Sequence, residues 1–313
     1  MTTQTIQVST AAGLMSALAT ATGGETIQLA AGNYGGVYLS QYNFAQKVNI
    51  VGGTFSSIQV VSSNGLSFEG TTVNFVPDAT STSNSQGVRV YLSQNINFNN
   101  ATLVGGLSVN GVDPSAPYGD STGNVLGYPV GKGINFDNSS NCSITNSDIS
   151  MFAKGVTITG GSNFLVDNND IHDLRTTPIS GSVTSNLTIS NNHTWDSHPW
   201  NFGAQDHGDR IHIWTSGTPI LGANASQLCW NFNISLGTDD RYFLFDRCTF
   251  IVDMDSLGSG NVYNNLFYLA NSTTLQFQGC TFLMVGRNSS SNNQYVFTWN
   301  STSATSSVIT SGV

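Results

Sequence analysis

Three observations in the 313-residue chain predict an all-β solenoid of the parallel β-helix type, with a short capping helix at the N-terminus. The first is self-similarity. SITNSDI (143–149), LVDNNDI (165–171) and TISNNHT (188–194) share an Asn at Asn146, Asn168 and Asn191, spaced by 22 and 23 residues. Such a period marks a repeat architecture, in which each unit is stabilised by stacking on its neighbours. The second is the pattern inside each copy: apolar and polar residues alternate over four or five positions, then meet an Asn or Gly turn, which describes a strand followed by a corner. The third is that no helix-period segment separates the strands. Doubly wound and TIM-barrel folds both need crossover helices and are excluded. A β-sandwich is the remaining structural alternative.

The elements follow in order. Residues 1–24 form an N-terminal cap of one strand and a short helix, which Ser9 or Thr10 caps and whose Leu14, Met15 and Leu18 share a face. TIQLAAGNY then enters the first coil of a solenoid over residues 25–287. Looser repeat copies occur at LSFEGTT (66–72) and INFNNAT (96–102), and FLFDRCTF (243–250) and LQFQGCTF (275–282) lie 32 residues apart. A second strand per unit lies about ten residues upstream, at 133–136, 155–158 and 210–213. The recurring Asn suits a corner, because it tolerates left-handed backbone and its amide can bond backbone groups or the next Asn in the stack. Residues 288–313, rich in Ser, Thr and Asn, form a C-terminal cap or an oligomer contact, with a homotrimer as the expected assembly.

Only 9% of residues are charged, where an ordinary soluble domain has roughly 25%. The net charge is -9, and aromatic residues make up 10% of the chain, which argues against disorder. Clustered Lys and Arg are absent, so nucleic acid is excluded as a partner. No stretch reaches the ~18 apolar residues of a membrane span. The apolar segment at 13–21 lacks a basic n-region, since the first basic residue is Lys47, so no Sec signal peptide is expected. Cys142, Cys229, Cys248 and Cys280 show no metal-binding or redox spacing and read as small core thiols.

VSTAAGLMSAL followed by GGETIQLAAGNY resembles the N-terminal cap and first coil of bacterial right-handed parallel β-helix proteins, the group that includes alginate-lyase-like and pectate-lyase-like enzymes. Phage tailspikes share such folds. The resemblance implies a right-handed coil, a polysaccharide partner, and a location outside a bacterium or on a virion surface, with other virion proteins as further partners.

The chemistry concentrates in one span. All five His fall within 172–212, and four of the five Trp fall between 195 and 230. Regularity also breaks here, because Val156 and Ile179 are 23 residues apart, whereas Ile179 to Ile211 and Ile211 to Phe243 are each 32. Insertions in a solenoid become loops, often on the binding face. The candidate catalytic residues are Asp206, His207, Asp209, Arg210 and His212; the candidate ligand-binding residues are His172, Arg175, His198, Trp200, Trp214 and Tyr242. Strand alternation sets Arg210, His212 and Trp214 on one outer face, near Thr157 and Thr159 on one side and Tyr242 or Phe243 on the other. DHGDRIHIWT resembles an Asp-His-x-Asp-x-Ile-Gln phrase of secreted β-helix proteins, from which Arg210 and His212 depart.

Three chemical readings remain open. Arg210 or Arg175 neutralises a uronate while His207 or His212 removes its C5 proton, giving β-elimination or epimerisation. Alternatively, Asp206 with Asp209, or Asp239 with Asp240, forms an acid pair for glycoside hydrolysis. In the third, aromatic faces stack on sugars without turnover, as in a structural or receptor-binding virion component. A cluster that merely satisfies itself is the non-functional alternative. No cofactor is expected, and Asp253 and Asp255 are too few ligands to establish a Ca2+ site.

Overall fold

The protein, described from a computed structural model, is defined at residues 4–78, 80–108, 118–119, 125–182 and 185–194, and beyond these at 211–213, 222–223, 225–229, 234–236, 241–246, 249–253, 265–269, 273–278, 281–285, 295–299 and 307–311. Its strands stack in parallel register into three long faces. Sheet I has ten strands, among them Gln86–Tyr91, Lys132–Asp137, Lys154–Thr159, Ile179–Ser182, Ile211–Ile213 and Ile234–Leu236. Sheet II has eight, including Gln94–Asn99, Ser140–Thr145, Ser162–Asp167 and Ser185–Ser190. Sheet III has nine, including Thr102–Val104, Asp148–Ser150, Asp170–His172, Asn192–Thr194 and Ala225–Cys229. Later in the chain a four-stranded sheet (Gly222–Ala223, Arg241–Asp246, Thr273–Gln278, Ser307–Ser311) takes the place of sheet II in the coil order. Tyr295–Trp299 and Ser307–Ser311, within the expected C-terminal segment, pair with the preceding coil.

The predicted period is the stacking register. Val156 pairs with Ile179 and Ile179 with Ile211, as the spacing requires. The next step differs: Ile211 pairs with Ile234, 23 residues on, and not with Phe243. Phe243 lies on Arg241–Asp246, where it pairs with Leu275, so the 32-residue match of the two late phrases is a true coil equivalence on a different sheet.

Inward residues form columns through the bore. Sheet II contributes Leu66 and Phe68, then Ile96 and Phe98, then Cys142 and Ile144, all buried. The Phe68 and Phe98 rings stack at 4.5 Å with planes 3° apart. Coils about 4.8 Å apart bring like aromatics to stacking distance, so pairing register and ring stacking reinforce each other. Cys142 is a free buried thiol, pushed up to about 11 by burial, consistent with a core role.

Two tight corners turn each coil. At the corner from sheet II to sheet III, Asn100, Asn146, Asn168 and Asn191 all adopt left-handed backbone, with φ of 53°, 54°, 54° and 53°. Asn168 Nδ2 donates to Asn146 Oδ1 at 2.7 Å, but Asn191 donates to Asp167 instead. The backbone-bonding role expected of these Asn belongs to the residue after each. The buried Ala101 N–H donates to Ser147 Oγ, the Ser147 N–H to Asn169 Oδ1, and the Asn169 N–H to Asn192 Oδ1, each at 3.0 Å. The corner from sheet I to sheet II does the same with serines: Ser63 N–H donates to Ser93 Oγ, and Ser93 N–H to Ser139 Oγ, both at 3.1 Å. At the next coil this position is Gly161, φ 81°, where a Cβ would lie 1.7 Å from the Ser139 carbonyl oxygen.

The N-terminal strand Thr5–Val8 pairs with Thr26–Leu29, and α1 (Ala11–Thr20) covers the end of the core with Leu14, Ala17 and Leu18 buried. Met15 is only half-buried against the same core. Thr10 is the N-cap, its hydroxyl accepting from the Gly13 N–H at 3.0 Å. After the helix, Glu25 accepts from the Thr22 N–H and hydroxyl and from the Gly23 N–H, at 2.9, 2.7 and 2.8 Å. Those bonds, Thr22's first, hold its carboxyl at about 2.

Two outcomes follow for stability. Phe98→Ala removes half of a stacked pair in a close-packed column and should lower stability by about 3 to 5 kcal/mol, read from the denaturant midpoint. Glu25→Gln should cost about 1 to 3 kcal/mol at neutral pH by weakening charge-assisted bonds. Because the folded carboxyl lies below its ordinary 4.5, this contribution is present above that value and lost as pH falls toward 2. The wild-type and Glu25→Gln melting curves should therefore converge in acid.

Candidate functional site on sheet I

On sheet I, Ile134, Phe136, Val156 and Ile158 point into the core, so the residues between them face outward. Register then builds rows along the solenoid axis. One row runs Arg89, Asn135, Thr157, Ser180, and its backbone register continues to His212 and Ser235. Another runs Gln86, Lys132, Lys154, and a third Tyr91, Asp137, Thr159.

These outward groups are not solvated in the ordinary way. Asn135, Thr157 and Ser180 are 4%, 4% and 1% exposed, and Asn135 Oδ1, Thr157 Oγ1 and Ser180 Oγ have no hydrogen-bond partner. The same holds for Gln86 Oε1 and Arg89 Nε. A polar atom buried without a partner costs about 1 to 3 kcal/mol, so enclosed groups of this kind are sites where ordered water is held. Arg89 reaches Asp137 at 3.1 Å and lies over the Tyr91 ring at 4.3 Å. Burial, with the Lys154 charge beside it, pushes Lys132 below its ordinary value, against the opposing pull of Asp137. Three of the nine Lys and Arg residues of an acidic chain thus share one face.

The connections from sheet III to sheet I border this face. Among them, 75–85 and the described parts of 105–131 are long, whereas 195–210 lie outside the described residues. The second carries a small antiparallel sheet of Leu107–Ser108, Val125–Pro129 and Tyr118–Gly119.

The crowd of ionisable residues read from the sequence divides between two faces. His212 is on sheet I, whereas His172 ends Asp170–His172 on sheet III, and Arg175 lies in the half-buried turn that joins that strand to sheet I. Tyr242 belongs to the four-stranded sheet, in register with Thr274, so the neighbour of His212 on that side is Ser235 and neither Tyr242 nor Phe243. Asp206, His207, Asp209, Arg210, His198, Trp200 and Trp214 lie outside the described residues, as do Asp239, Asp240 and Asp255.

On sheet III, register aligns Asp148, Asp170 and His193 on three successive coils. His172 Nδ1 is 2.6 Å from Asp173 Oδ2 and its Nε2 is 3.5 Å from Asp148 Oδ2, while His193 Nδ1 is 3.2 Å from Asp170 Oδ1. Burial lowers the proton affinity of His172, but the Asp173 bond and the Asp148 and Asp170 charges together outweigh it and raise its value.

Arg89, Asn135, Lys132 and Lys154 were missed by the sequence reading, as were Asp148 and Asp170. The signal was present as KGIN at 132–135 and KGVT at 154–157, the same offset in successive coils. Aligning the first strand of each unit as closely as the Asn phrase would have found the lysines.

Fold and face together define a solenoid with a polar, cation-bearing parallel sheet. The chain belongs to the right-handed β-helix family, whose model, described as a right handed beta helix region, matches residues 132–310. Among solved structures, an alginate lyase from Paenibacillus sp. str. FPU-7 is similar with a TM-score of 0.60 at 14% identity, over 95% of this chain and 99% of that one. The pectate lyase Pel9A gives a TM-score of 0.48 at 12% identity, over 93% and 80%. A polygalacturonase from Erwinia carotovora ssp. carotovora gives 0.44 at 10%, over 98% and 97%. At these identities the likeness is one of fold. No curated protein sequence matches significantly.

Lys132→Gln removes a desolvated charge beside Lys154 and should raise the melting midpoint at neutral pH. A lysine held below its ordinary 10.5 makes the fold more stable as pH rises through the interval between the two values. Wild-type protein should show that gain by thermal melts on the alkaline side, and the variant should not.

Proposed function

We propose that the chain recognises and processes an acidic polysaccharide laid along the outer face of sheet I. The observation that carries this reading is that Arg89, Lys132 and Lys154, three of the nine basic residues of an acidic chain, come to one face of the parallel sheet. A polymer running along the axis meets an equivalent position every coil, about 4.8 Å apart, so one kind of contact is repeated to successive units. The Tyr91 ring offers a stacking surface, and uronate carboxylates suit the cations. A carboxylate beside Lys132 would oppose the burial and the Lys154 charge that push it below its ordinary value.

The reaction that fits is proton abstraction at C5 of a uronate, with elimination or epimerisation as the outcome. His212 is the base we assign, a choice supported by its register with Ser180, and Arg210, His207 and Arg175 remain the partners expected from the sequence. The similarity of fold to an alginate lyase supports a polysaccharide substrate. The low charge content supports action at a cell surface or on a virion, where residues 288–313 serve as the oligomer contact of a trimer.

The test is binding and turnover on alginate, pectate and a neutral glucan, following unsaturated product by ultraviolet absorbance and new reducing ends. Acidic chains should bind in a salt-sensitive way, with Arg89→Ala and Lys132→Gln each weakening binding about tenfold, or about 1.4 kcal/mol. His212→Ala should abolish product while leaving the melting midpoint unchanged. Equal binding of neutral glucan, or full binding by both cation variants, would overturn the reading. Binding without product from any substrate would move the protein to the receptor-binding class.

A further inference from the structure

We infer that the outer face of sheet III carries a binding site for a divalent transition-metal ion, ligated by Asp148, Asp170 and His172. This site lies on a different sheet from the proposed polysaccharide face and does not depend on it. One carboxylate oxygen each from Asp148 and Asp170 and one imidazole nitrogen of His172 lie within 4.8 Å of one another. Asp148 and Asp170 are register partners on adjacent coils, and His172 is two residues beyond Asp170 on the same strand face.

The separation of His172 from Asp148 is that of two atoms sharing one ion. Two ligand atoms each ~2.1 Å from a common ion at the tetrahedral angle lie about 3.4 Å apart. His172 Nε2 and Asp148 Oδ2 are 3.5 Å apart, longer than a good ion-pair hydrogen bond and close to that value. Two further residues orient the ligands. Asp173, in left-handed backbone with φ 50°, takes His172 Nδ1 at 2.6 Å, which turns Nε2 toward the two carboxylates. His193 on the following coil holds Asp170 at 3.2 Å. A carboxylate behind a ligating imidazole fixes its tautomer and increases its basicity.

The donor set selects the ion. One imidazole and two carboxylates suit Zn2+, Co2+ or Ni2+, whereas Ca2+ takes six to eight oxygens and gains little from nitrogen. Asp148 and Asp170 are each about half exposed, so water completes the coordination shell. The bound ion ties two successive coils together at the edge from which the Arg175 turn departs.

The experiment uses the full chain, stripped with chelator and titrated with Zn2+, Ni2+, Ca2+ and Mg2+ by calorimetry and metal analysis. Zn2+ should bind with one equivalent that Asp148→Asn and His172→Ala each weaken at least tenfold, and Ca2+ and Mg2+ should not replace it. Zn2+ should also raise the melting midpoint of the wild type and not of Asp148→Asn, a substitution at an exposed position whose circular dichroism should match the wild type. Zn2+ uptake that survives in both variants, or equal uptake of Ca2+, would overturn the assignment. So would an absence of uptake in the wild type.

Discussion

The structure depends on how each coil satisfies the buried N–H groups of its corners. A two-residue corner in left-handed backbone leaves an amide facing the neighbouring coil, where water is excluded. The next coil supplies the acceptor: Ser93 and Ser139 on one edge, Ser147, Asn169 and Asn192 on the other. A buried amide without such a partner would cost about 1 to 3 kcal/mol per coil, comparable to much of what a single column of core residues contributes. Each coil is thus completed only by its successor, and stability grows by stacking.

That constraint also decides where function can reside. The short corners of the described coils are held by side chains that bond along the stack. Among the described residues the connection from sheet III to sheet I has no such ladder, and there the coil lengthens between Thr72–Asn74 and Gln86–Tyr91 and between Thr102–Val104 and Lys132–Asp137. The two faces that meet at this edge carry the clusters of ionisable groups. Sheet II, enclosed between the two short corners, carries Asn ladders such as Asn163 to Asn141.

The two faces are built from opposite charge. Sheet I brings Arg89, Lys132 and Lys154 together beside enclosed polar side chains, and burial with the Lys154 charge disfavours the ammonium of Lys132. Sheet III brings Asp148, Asp170 and Asp173 around His172, where mutual attraction favours the protonated ring. The solenoid tolerates both because a parallel stack spreads its stability over many columns. A local cost at one face is offset by core pairs such as Phe68 with Phe98 several coils away.

The sequence by itself determined the fold class, the 22- and 23-residue coil, the left-handed Asn corners and the N-terminal helix with its Thr10 cap, because each is a local or strictly periodic feature. It also determined the polar, low-charge wall. Tertiary structure decided which residues share a face. His172 and His212 are 40 positions apart and read as one cluster, yet strand order assigns them to different sheets. Lys132 and Lys154 looked like isolated charges until coil register set them side by side. The Asn168 and Asn169 pair shows the same limit at one corner: composition cannot tell which of two adjacent Asn turns the chain and which feeds the buried amide. A side chain's partner in a solenoid is one whole coil away in sequence, so its role is fixed by the register of stacking and not by its neighbours along the chain.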